Sequence, residues 1–148
     1  MIDDTYLDDL DFTIIKHLQK DGRKSFTEIA SELNVAVSTI RNRYNKLVEG
    51  KVLRIIGRAE PEKMNLHSYS RIMIAIKPVC KTNMVLEKLK KIAELSFLAQ
   101  TSGKYHIELN VMCKNNKHLL KTVNKINNIE GVSELQITSY LNVLKWGQ

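Results

Sequence analysis

Between residues 37 and 46, the sequence combines cationic and amide side chains with no carboxylate. The polar residues are spaced so that a helix would present them on one face: Ser38, Arg41, Asn42, Asn45 and Lys46. On such a face, arginine can read the edge of guanine, asparagine can read adenine, and serine and lysine can hold phosphates. The segment therefore predicts contact with nucleic acid; the alternative interpretation is an ordinary solvated helix face.

Other kinds of chemistry find little support in the sequence. It contains no nucleophile–base constellation, phosphate-binding loop or metal-ligand spacing. The two cysteines, Cys80 and Cys113, form no CxxC motif, and the four histidines show no ligand spacing. We therefore expect no catalysis, no metal and no cofactor, and we expect two free thiols that are buried or half-buried.

The first third of the chain has apolar residues at helical spacing in three segments. The sequence predicts helices over residues 7–20, 27–33 and 37–48, with a tight break at Asn34-Val35-Ala36 and a stop at Gly50. Three helices with a sharp turn between the second and the third form the helix-turn-helix plan, whose third helix enters the major groove of DNA. The apolar side of that third helix would pack inward: Val37, Ile40, Tyr44 and Leu47.

A β-branched run follows the third helix. Residues 52–58 predict a strand or short hairpin, which would serve as the wing of a winged helix-turn-helix domain and carry Arg54. The next segment, residues 58–67, is polar and contains Pro61, so it is predicted to be a linker.

The second half of the chain predicts the order β-α-β-β-α-β. Predicted strands cover residues 70–79, 97–101, 105–113 and 132–144; a helix covers 82–95, and another follows Asn115 or Asn116 with Leu119, Leu120, Val123 and Ile126 inward. This order is that of the ferredoxin-like unit, an antiparallel sheet with both helices on one face. A second copy of the domain would cover the other face, so we expect a homodimer with packed sheets.

These patterns predict an α+β protein with two domains. Residues 1–57 would form the helix-turn-helix domain, residues 58–67 the linker, and residues 68–148 a ferredoxin-like domain for oligomerisation and effector binding. No apolar run reaches the roughly 18 residues that a membrane helix needs. The start of the chain is acidic, unlike a secretory signal, so we expect a cytoplasmic protein without a membrane partner.

The formal net charge of +7 is unevenly distributed. Residues 1–57 hold nine basic and nine acidic side chains, whereas residues 58–148 hold fourteen basic and seven acidic ones. Five of the first nine acids stand within the first eleven residues: Asp3, Asp4, Asp8, Asp9 and Asp11. The remainder of the first domain is therefore basic, and the net charge of the whole chain is weak evidence for DNA binding.

The chain resembles the Lrp/AsnC family of bacterial and archaeal regulators over nearly its whole length. The resemblance begins with Leu7-Asp8, Asp11, Ile14-Ile15 and Asp21-Gly22-Arg23, and continues through Leu33-Asn34-Val35, Thr39-Ile40, Arg43, Leu47, Gly50, Val52-Leu53 and Pro61. In the second domain it rests on two turns, Ser102-Gly103-Lys104-Tyr105 and Ile129-Glu130-Gly131-Val132. The resemblance implies a dimer that assembles into tetramers or octamers. It also implies an effector, usually an amino acid, bound near a Gly-x-Tyr-Asp turn between neighbouring dimers.

The resemblance assigns an effector site to two stretches of the second domain: Ser102, Gly103, Lys104, Tyr105 and His106, with Leu135 and Ile137 on the last strand. This chain departs from the family pattern there. His106 stands where the family has aspartate, and Leu135 and Ile137 stand where threonines are common. A pocket for an ammonium group thus loses its carboxylate, so we expect a different ligand or none. His106 is either a ligand or pH-sensing group or an ordinary polar strand residue.

Two departures lie in the helix-turn-helix itself. The family's turn usually has glycine and a capping serine where this chain has Asn34 and Ala36. Asparagine tolerates the left-handed conformation, so the turn should survive, but the absence of the cap should cost about 1 kcal/mol.

The predicted function is a sequence-specific transcriptional regulator that binds double-stranded DNA with two third helices in successive major grooves, about 34 Å apart. Base reading is assigned to Arg41 and Asn42, and phosphate contacts to Ser38, Thr39, Lys46 and Arg54, with Asn45 on the same face. Arg43, which the resemblance includes, is expected to contact the DNA backbone or brace the helix. The alternatives are an architectural, chromatin-like DNA binder without an effector and a subunit of a haem-pathway tetrapyrrole decarboxylase of the same build.

Overall fold

The computed structural model describes residues 6–146, so Asp3 and Asp4 lie outside it. The described chain forms two compact units, one ending at Arg58 and the other beginning at Ala59. The predicted linker, residues 58–67, contains a short 3-10 turn at Glu62–Met64. No helix in the described residues is both long and apolar enough to cross a membrane.

The first unit contains three helices: α1 (Asp9–Lys20), α2 (Phe26–Leu33) and α3 (Val37–Glu49). Their starts follow from the sequence, because Asp8 caps α1 and Ser25 caps α2, each in a reciprocal capping box with the residue three positions later. The isoleucines Ile14, Ile29 and Ile40 are fully buried at the centre of the unit. The predicted three-helix organisation is confirmed.

The predicted wing strand is wrong. Residues 52–58 contain no strand, although all of them are described. A strand needs a hydrogen-bonded neighbour strand, and the described part of this unit offers only helices. Instead, Leu53 is buried in the helical core and donates its backbone N–H to the Leu47 carbonyl, while a Cβ on Gly22 would approach Ile55 to 3.1 Å.

The second unit is an antiparallel sheet with two helices. Its elements are β1 (Ser68–Ile76), α4 (Thr82–Leu89), β2 (Leu95–Gln100), β3 (Ile107–Cys113), α5 (Asn116–Asn127) and β4 (Val132–Ser139). The strand order is β2-β3-β1-β4, which confirms the ferredoxin-like plan. Buried side chains of β1 and β3 form one core with Val85 and Leu89 of α4 and Ile126 of α5, so both helices cover the same face.

Two elements are shorter than predicted because tertiary pairing decides where they end. The helix predicted over 82–95 ends at Leu89, since Leu95 already pairs with Val111 as the first residue of β2. The strand predicted to reach residue 144 ends at Ser139. Beyond it, Tyr140 donates its backbone N–H to Tyr69, and the two rings stack with centroids 4.6 Å apart.

Two burial predictions also need correction. Leu120 was expected inward on α5, but it is 61% exposed, and Thr122 occupies a fully buried position instead. Thr122 satisfies its hydroxyl by donating to the His118 carbonyl at 3.1 Å, which allows a polar side chain inside. Both cysteines are free, but Cys80 is exposed and only Cys113 is buried.

Candidate nucleic-acid interface

The turn between α2 and α3 keeps its geometry despite the unusual residues. Asn34 adopts the left-handed conformation with φ 53° and donates its N–H to carbonyls at the end of α2. Val35 then donates to the Ala30 carbonyl at 3.0 Å. Ala36 is the N-cap of α3 and provides no side-chain hydrogen bond, nor does Ser38 replace it. The predicted survival of the turn and the predicted absence of the cap are both confirmed.

The polar face predicted for α3 is exposed. Ile40 and Leu47 are buried on the inner side, and the Tyr44 ring packs against Phe26 with centroids 5.0 Å apart. The opposite side carries the exposed residues Ser38, Arg41, Asn42, Asn45 and Lys46, while Thr39 is half-buried in the first turn. Arg54, beyond the helix, is exposed as well.

The cations on this face are not engaged by acids. Within residues 6–146, Arg41, Lys46 and Arg54 form no ion pair. Because no carboxylate competes for them, the guanidinium and ammonium groups remain available to an anionic partner. The face has the donors that phosphate and base-edge contacts require.

Arg43 differs from Arg41 because it is bound within the unit. Its Nη1 donates to Asp8 Oδ2 at 2.5 Å and to Asp11 Oδ2 at 3.2 Å. Hydrogen bonds from the Asp11 backbone N–H, and then from Arg43, lower the pKa of the Asp8 carboxyl. The same contacts raise the pKa of Arg43. Of the two roles expected for this arginine, the structure provides the one that braces α3 against the start of α1.

Sequence reasoning missed this ion-pair cluster. The sequence shows Asp8 and Asp11 only as two of five acids near the start of the chain. Their arginine partner lies 35 and 32 residues away from Asp8 and Asp11. No local pattern marks such a pair, although a buried carboxylate such as Asp11, only 6% exposed, requires a partner.

The turn predicted to bind an effector is exposed at its tip and contacts β4 through one carboxylate. Ser102, Gly103 and Lys104 are exposed at its tip, where Gly103 has φ 98°. Lys104 Nζ and the Tyr105 hydroxyl both donate to Glu134 Oε1, each at 3.0 Å. Lys104 and then Tyr105 lower the pKa of Glu134. Glu134 therefore contacts the turn predicted to bind the effector, and the sequence did not reveal this contact.

His106 makes a backbone contact at the end of the central strands. The Ile76 backbone N–H donates to its Nδ1 at 2.9 Å, and the His106 backbone N–H donates to the Ile74 carbonyl at 2.8 Å. An Nδ1 that accepts a hydrogen bond carries no proton, so neutral His106 must carry its proton on Nε2. The ring thus extends the pairing of β1 beyond Ile74, where its partner β3 begins.

The last-strand residues of the predicted effector site lie on the core side of the sheet. Leu135 is opposite Ile74 and packs against the hydrophobic core, and Ile137 is opposite Ile72 and is 42% exposed. Their part in ligand binding stays a prediction. No group of three or more His, Cys, Asp or Glu side chains in residues 6–146 is placed to hold a metal ion.

Known relatives match both units. The model of the AsnC-type helix-turn-helix domain matches residues 7–48, and that of the Lrp/AsnC ligand binding domain matches residues 71–147. An uncharacterised HTH-type transcriptional regulator of Pyrococcus horikoshii is 32% identical over 143 residues, which cover 95% of this chain and 90% of that protein. The HTH-type transcriptional regulator Ptr1 of Methanocaldococcus jannaschii is also 32% identical over 143 residues, covering 95% and 96%.

Solved structures share the fold over nearly the whole chain. AsnC of E. coli has a TM-score of 0.88 at 24% identity, covering 96% of this chain and 97% of that one. The leucine response regulatory protein LrpA of Mycobacterium tuberculosis has a TM-score of 0.84 at 22% identity, covering 95% and 96%. The chain therefore belongs to the Lrp/AsnC family of transcriptional regulators, with a helix-turn-helix DNA-binding domain followed by a ligand-binding domain.

Proposed function

We propose that this regulator recognises specific DNA sequences through the exposed face of α3. The observation that carries the proposal is a helix whose outer side presents cations and amides, with no carboxylate from Val37 to Lys46. Arg41 and Asn42 would read base edges, while Ser38, Thr39, Asn45, Lys46 and Arg54 would hold the backbone. Arg43 is reserved for stability by its two aspartates.

The active form is proposed to be a homodimer, which can assemble into tetramers or octamers. The sheet face opposite the helices supports this, because it carries apolar side chains between polar ones: Met73, Phe97, Ala99 and Met112. Phe97 is 48% exposed in the single chain. A second sheet packed on this face would bury it and would supply the two recognition helices that successive major grooves require.

The proposed effector site is the 102–106 turn with Glu134. Its ion pair between Lys104 and Glu134 is internally neutral, and His106 offers a donor where an ammonium group would need an acceptor. We therefore propose that common amino acids are not its ligands. Isothermal titration against the twenty amino acids tests this, and tight binding of one of them, with a change in DNA affinity, would show that the proposal is wrong.

The experiment that tests DNA recognition is a gel shift with DNA from upstream of the protein's own gene and with random DNA. Wild type should prefer the upstream fragment. Because a bidentate contact contributes about 1–3 kcal/mol, Arg41→Ala should lower the ratio of affinities for upstream and random DNA by roughly one to two orders of magnitude. Arg23→Ala is the matched control, because it removes the same charge from an exposed position outside α3. Equal losses in both variants would refute a base-reading role for Arg41.

The two alternative functions make different predictions. An architectural binder would bind both DNA fragments equally, with an affinity that falls steeply with salt. A tetrapyrrole decarboxylase subunit would purify with a tetrapyrrole absorbance band. Neither alternative is favoured by relatives whose names describe transcriptional regulators. A cytoplasmic location, as predicted, is what such a regulator needs to reach DNA.

A further inference from the structure

We propose that the exposed face of α5 is a second DNA-binding surface, which holds the phosphate backbone without reading the sequence. The inference rests on the proposed DNA binding by α3, but its evidence lies in the other unit. From residue 109 to residue 129 the chain contains no aspartate or glutamate. The same segment contains four lysines: Lys114, Lys117, Lys121 and Lys125.

The fold places three of these lysines in one row. Lys117, Lys121 and Lys125 lie within α5 and are four residues apart, so they are neighbours on the helix surface. All three are exposed. The inner side of α5 is fixed by the buried residues Thr122 and Ile126, and the row therefore faces outward. We call these three residues the α5 lysine row.

The α5 lysine row has little internal compensation. Lys117 and Lys121 form no ion pair with any residue in the range 6–146, and only Lys125 approaches a carboxylate, with Nζ 3.5 Å from Glu94 Oε1. That carboxylate oxygen also lies 3.1 Å from His118 Nε2, and the Glu94 side chain is only 15% exposed. The positive charge of the row is consequently presented to solvent or to a partner.

The surroundings of the row add donors rather than acids. The exposed amides of Asn116, Asn124 and Asn127 lie on the same helix. This combination of cations and amides without carboxylates is the one that marks the outer face of α3. Lysines act as flexible point charges that suit phosphates, and there is no arginine in α5 to pair bidentately with guanine. The chemistry therefore favours phosphate contact over base reading.

The α5 lysine row supplies three of the thirteen cations of the second unit. Most of the formal excess lies outside the helix-turn-helix unit, because residues 59–148 hold thirteen basic and seven acidic side chains. Duplex DNA is the polyanion that the helix-turn-helix unit already brings to the protein, so we identify the occupant of the α5 lysine row as the backbone of that DNA.

The test compares two triple variants with equal charge change. The first is Lys117→Gln, Lys121→Gln and Lys125→Gln; glutamine has nearly the helix propensity of lysine, so α5 should remain folded. The control is Lys63→Gln, Lys77→Gln and Lys145→Gln, which removes three exposed lysines from the same unit but not from α5. Affinity for long random-sequence duplex DNA is measured over a salt series for both, with circular dichroism to check folding.

The removal of one lysine–phosphate pair should lower the slope of log affinity against log salt by about 0.9, so the slope of the first variant should fall by up to roughly 2.7. The slope of the control should fall much less. The single variant Lys121→Glu should weaken binding in the same direction. Equal slopes for the two triple variants, or an unchanged slope for the first, would overturn the proposal. So would a changed oligomeric state in sedimentation, which would identify the face as a protein interface marked by exposed Leu120.

The proposed roles of α3 and α5 can be refuted independently of each other. The α5 variant should keep the wild-type ratio of affinities for upstream and random DNA while its affinity for both decreases. Arg41→Ala should bring that ratio towards one while retaining most of the salt dependence of the affinity. A wild type without sequence preference would refute the proposed function of α3, and the slopes of the two triple variants would still decide the role of α5.

Discussion

Restoring the missing cap of α3 should stabilise the helix-turn-helix unit. Ala36 is the N-cap residue, with φ −68° and ψ 143°, and it gives no side-chain hydrogen bond. Ser25, the N-cap of α2, has nearly the same backbone angles, φ −70° and ψ 150°. Its hydroxyl accepts the Glu28 backbone N–H at 3.1 Å. A serine at position 36 would place its hydroxyl near the backbone N–H of Thr39, which now donates to the Ala36 carbonyl at 3.0 Å and would have to share or transfer that hydrogen bond.

The gain can be bounded from the comparison of the two caps. Serine in place of alanine at an N-cap contributes about 1 kcal/mol. At Ser25 the cap is doubled, because the Glu28 carboxylate accepts the Ser25 N–H at 2.9 Å in return. At α3 the corresponding residue is Thr39, which has no carboxylate. We therefore expect Ala36→Ser to stabilise the unit by less than Ser25→Ala destabilises it.

Differential scanning calorimetry would measure both variants. For a domain of this size, about 1 kcal/mol corresponds to roughly 4–8 °C in the midpoint of unfolding. Ala36→Ser should raise the midpoint of the helix-turn-helix unit by several degrees, and Ser25→Ala should lower it by at least as much. If Ser25→Ala lowers the midpoint and Ala36→Ser leaves it unchanged or lower, the cap argument is wrong for α3.

Three further predictions concern contacts in both units. His106→Leu should destabilise the second unit by about 1–3 kcal/mol in denaturant unfolding, since it orphans the Ile76 backbone N–H, whereas His106→Asn, which retains an acceptor near Nδ1, should be less destabilising. Gly131→Ala should cost about 1–3 kcal/mol, because its φ is 101° and the new Cβ would lie 3.1 Å from a neighbouring side chain; thermal unfolding would measure it. Arg43→Met should lower the unfolding midpoint more at neutral pH than well below pH 3.8. The folded protein lowers the pKa of Asp8, so the Asp8 contact stabilises the fold fully above the ordinary carboxyl pKa of 3.8. This stabilisation is lost as the pH falls through the pKa of Asp8 in the folded state. An equal decrease at both pH values would contradict the ion-pair explanation.

The fold was predictable where one period dominates the sequence. Alternation along residues 105–113 predicted β3, which begins at Ile107 and whose inward residues Ile107, Leu109 and Val111 are fully buried. Helical spacing, with the break at Asn34-Val35-Ala36 and the stop at Gly50, located α1, α2 and α3 to within a residue or two. Such patterns repeat over several residues, so they are recorded locally in the sequence.

Element ends and pairing partners were not predictable in the same way. Residues 52–58 have high β-propensity, but propensity does not supply a neighbouring strand. Leu120 is apolar, but it lies two residues from Thr122 and so faces another side of α5. Thr122 shares the inner side with Leu119 and Ile126, and its hydroxyl donates to a carbonyl, which allows its burial. These outcomes depend on residues far away in the sequence or on hydrogen bonds that only the folded chain defines.

The candidate site shows the same division. The outer face of α3 follows from spacing alone, because its inner face is apolar at the correct positions. Glu134 joins Lys104 and Tyr105 from 30 and 29 residues away, across the sheet. The irregular register between Ala75 and Ile76 sets which β4 residue stands there, and a sequence without a structure does not reveal that irregularity.

The neutral formal charge of the helix-turn-helix region is compatible with DNA binding because its charges are not interchangeable. Asp8 and Asp11 are bound to Arg43, so two acids and one cation are used inside the unit. Arg41 lies two positions earlier, and residues two apart on a helix do not face the same way. Its charge therefore remains on the outer side while the acids stabilise the inner contact. Arg41→Ala should consequently lower DNA selectivity with little effect on the free energy of unfolding, whereas Arg43→Met should mainly lower the free energy of unfolding. The two arginines have the same charge, so a count of charges does not distinguish their roles.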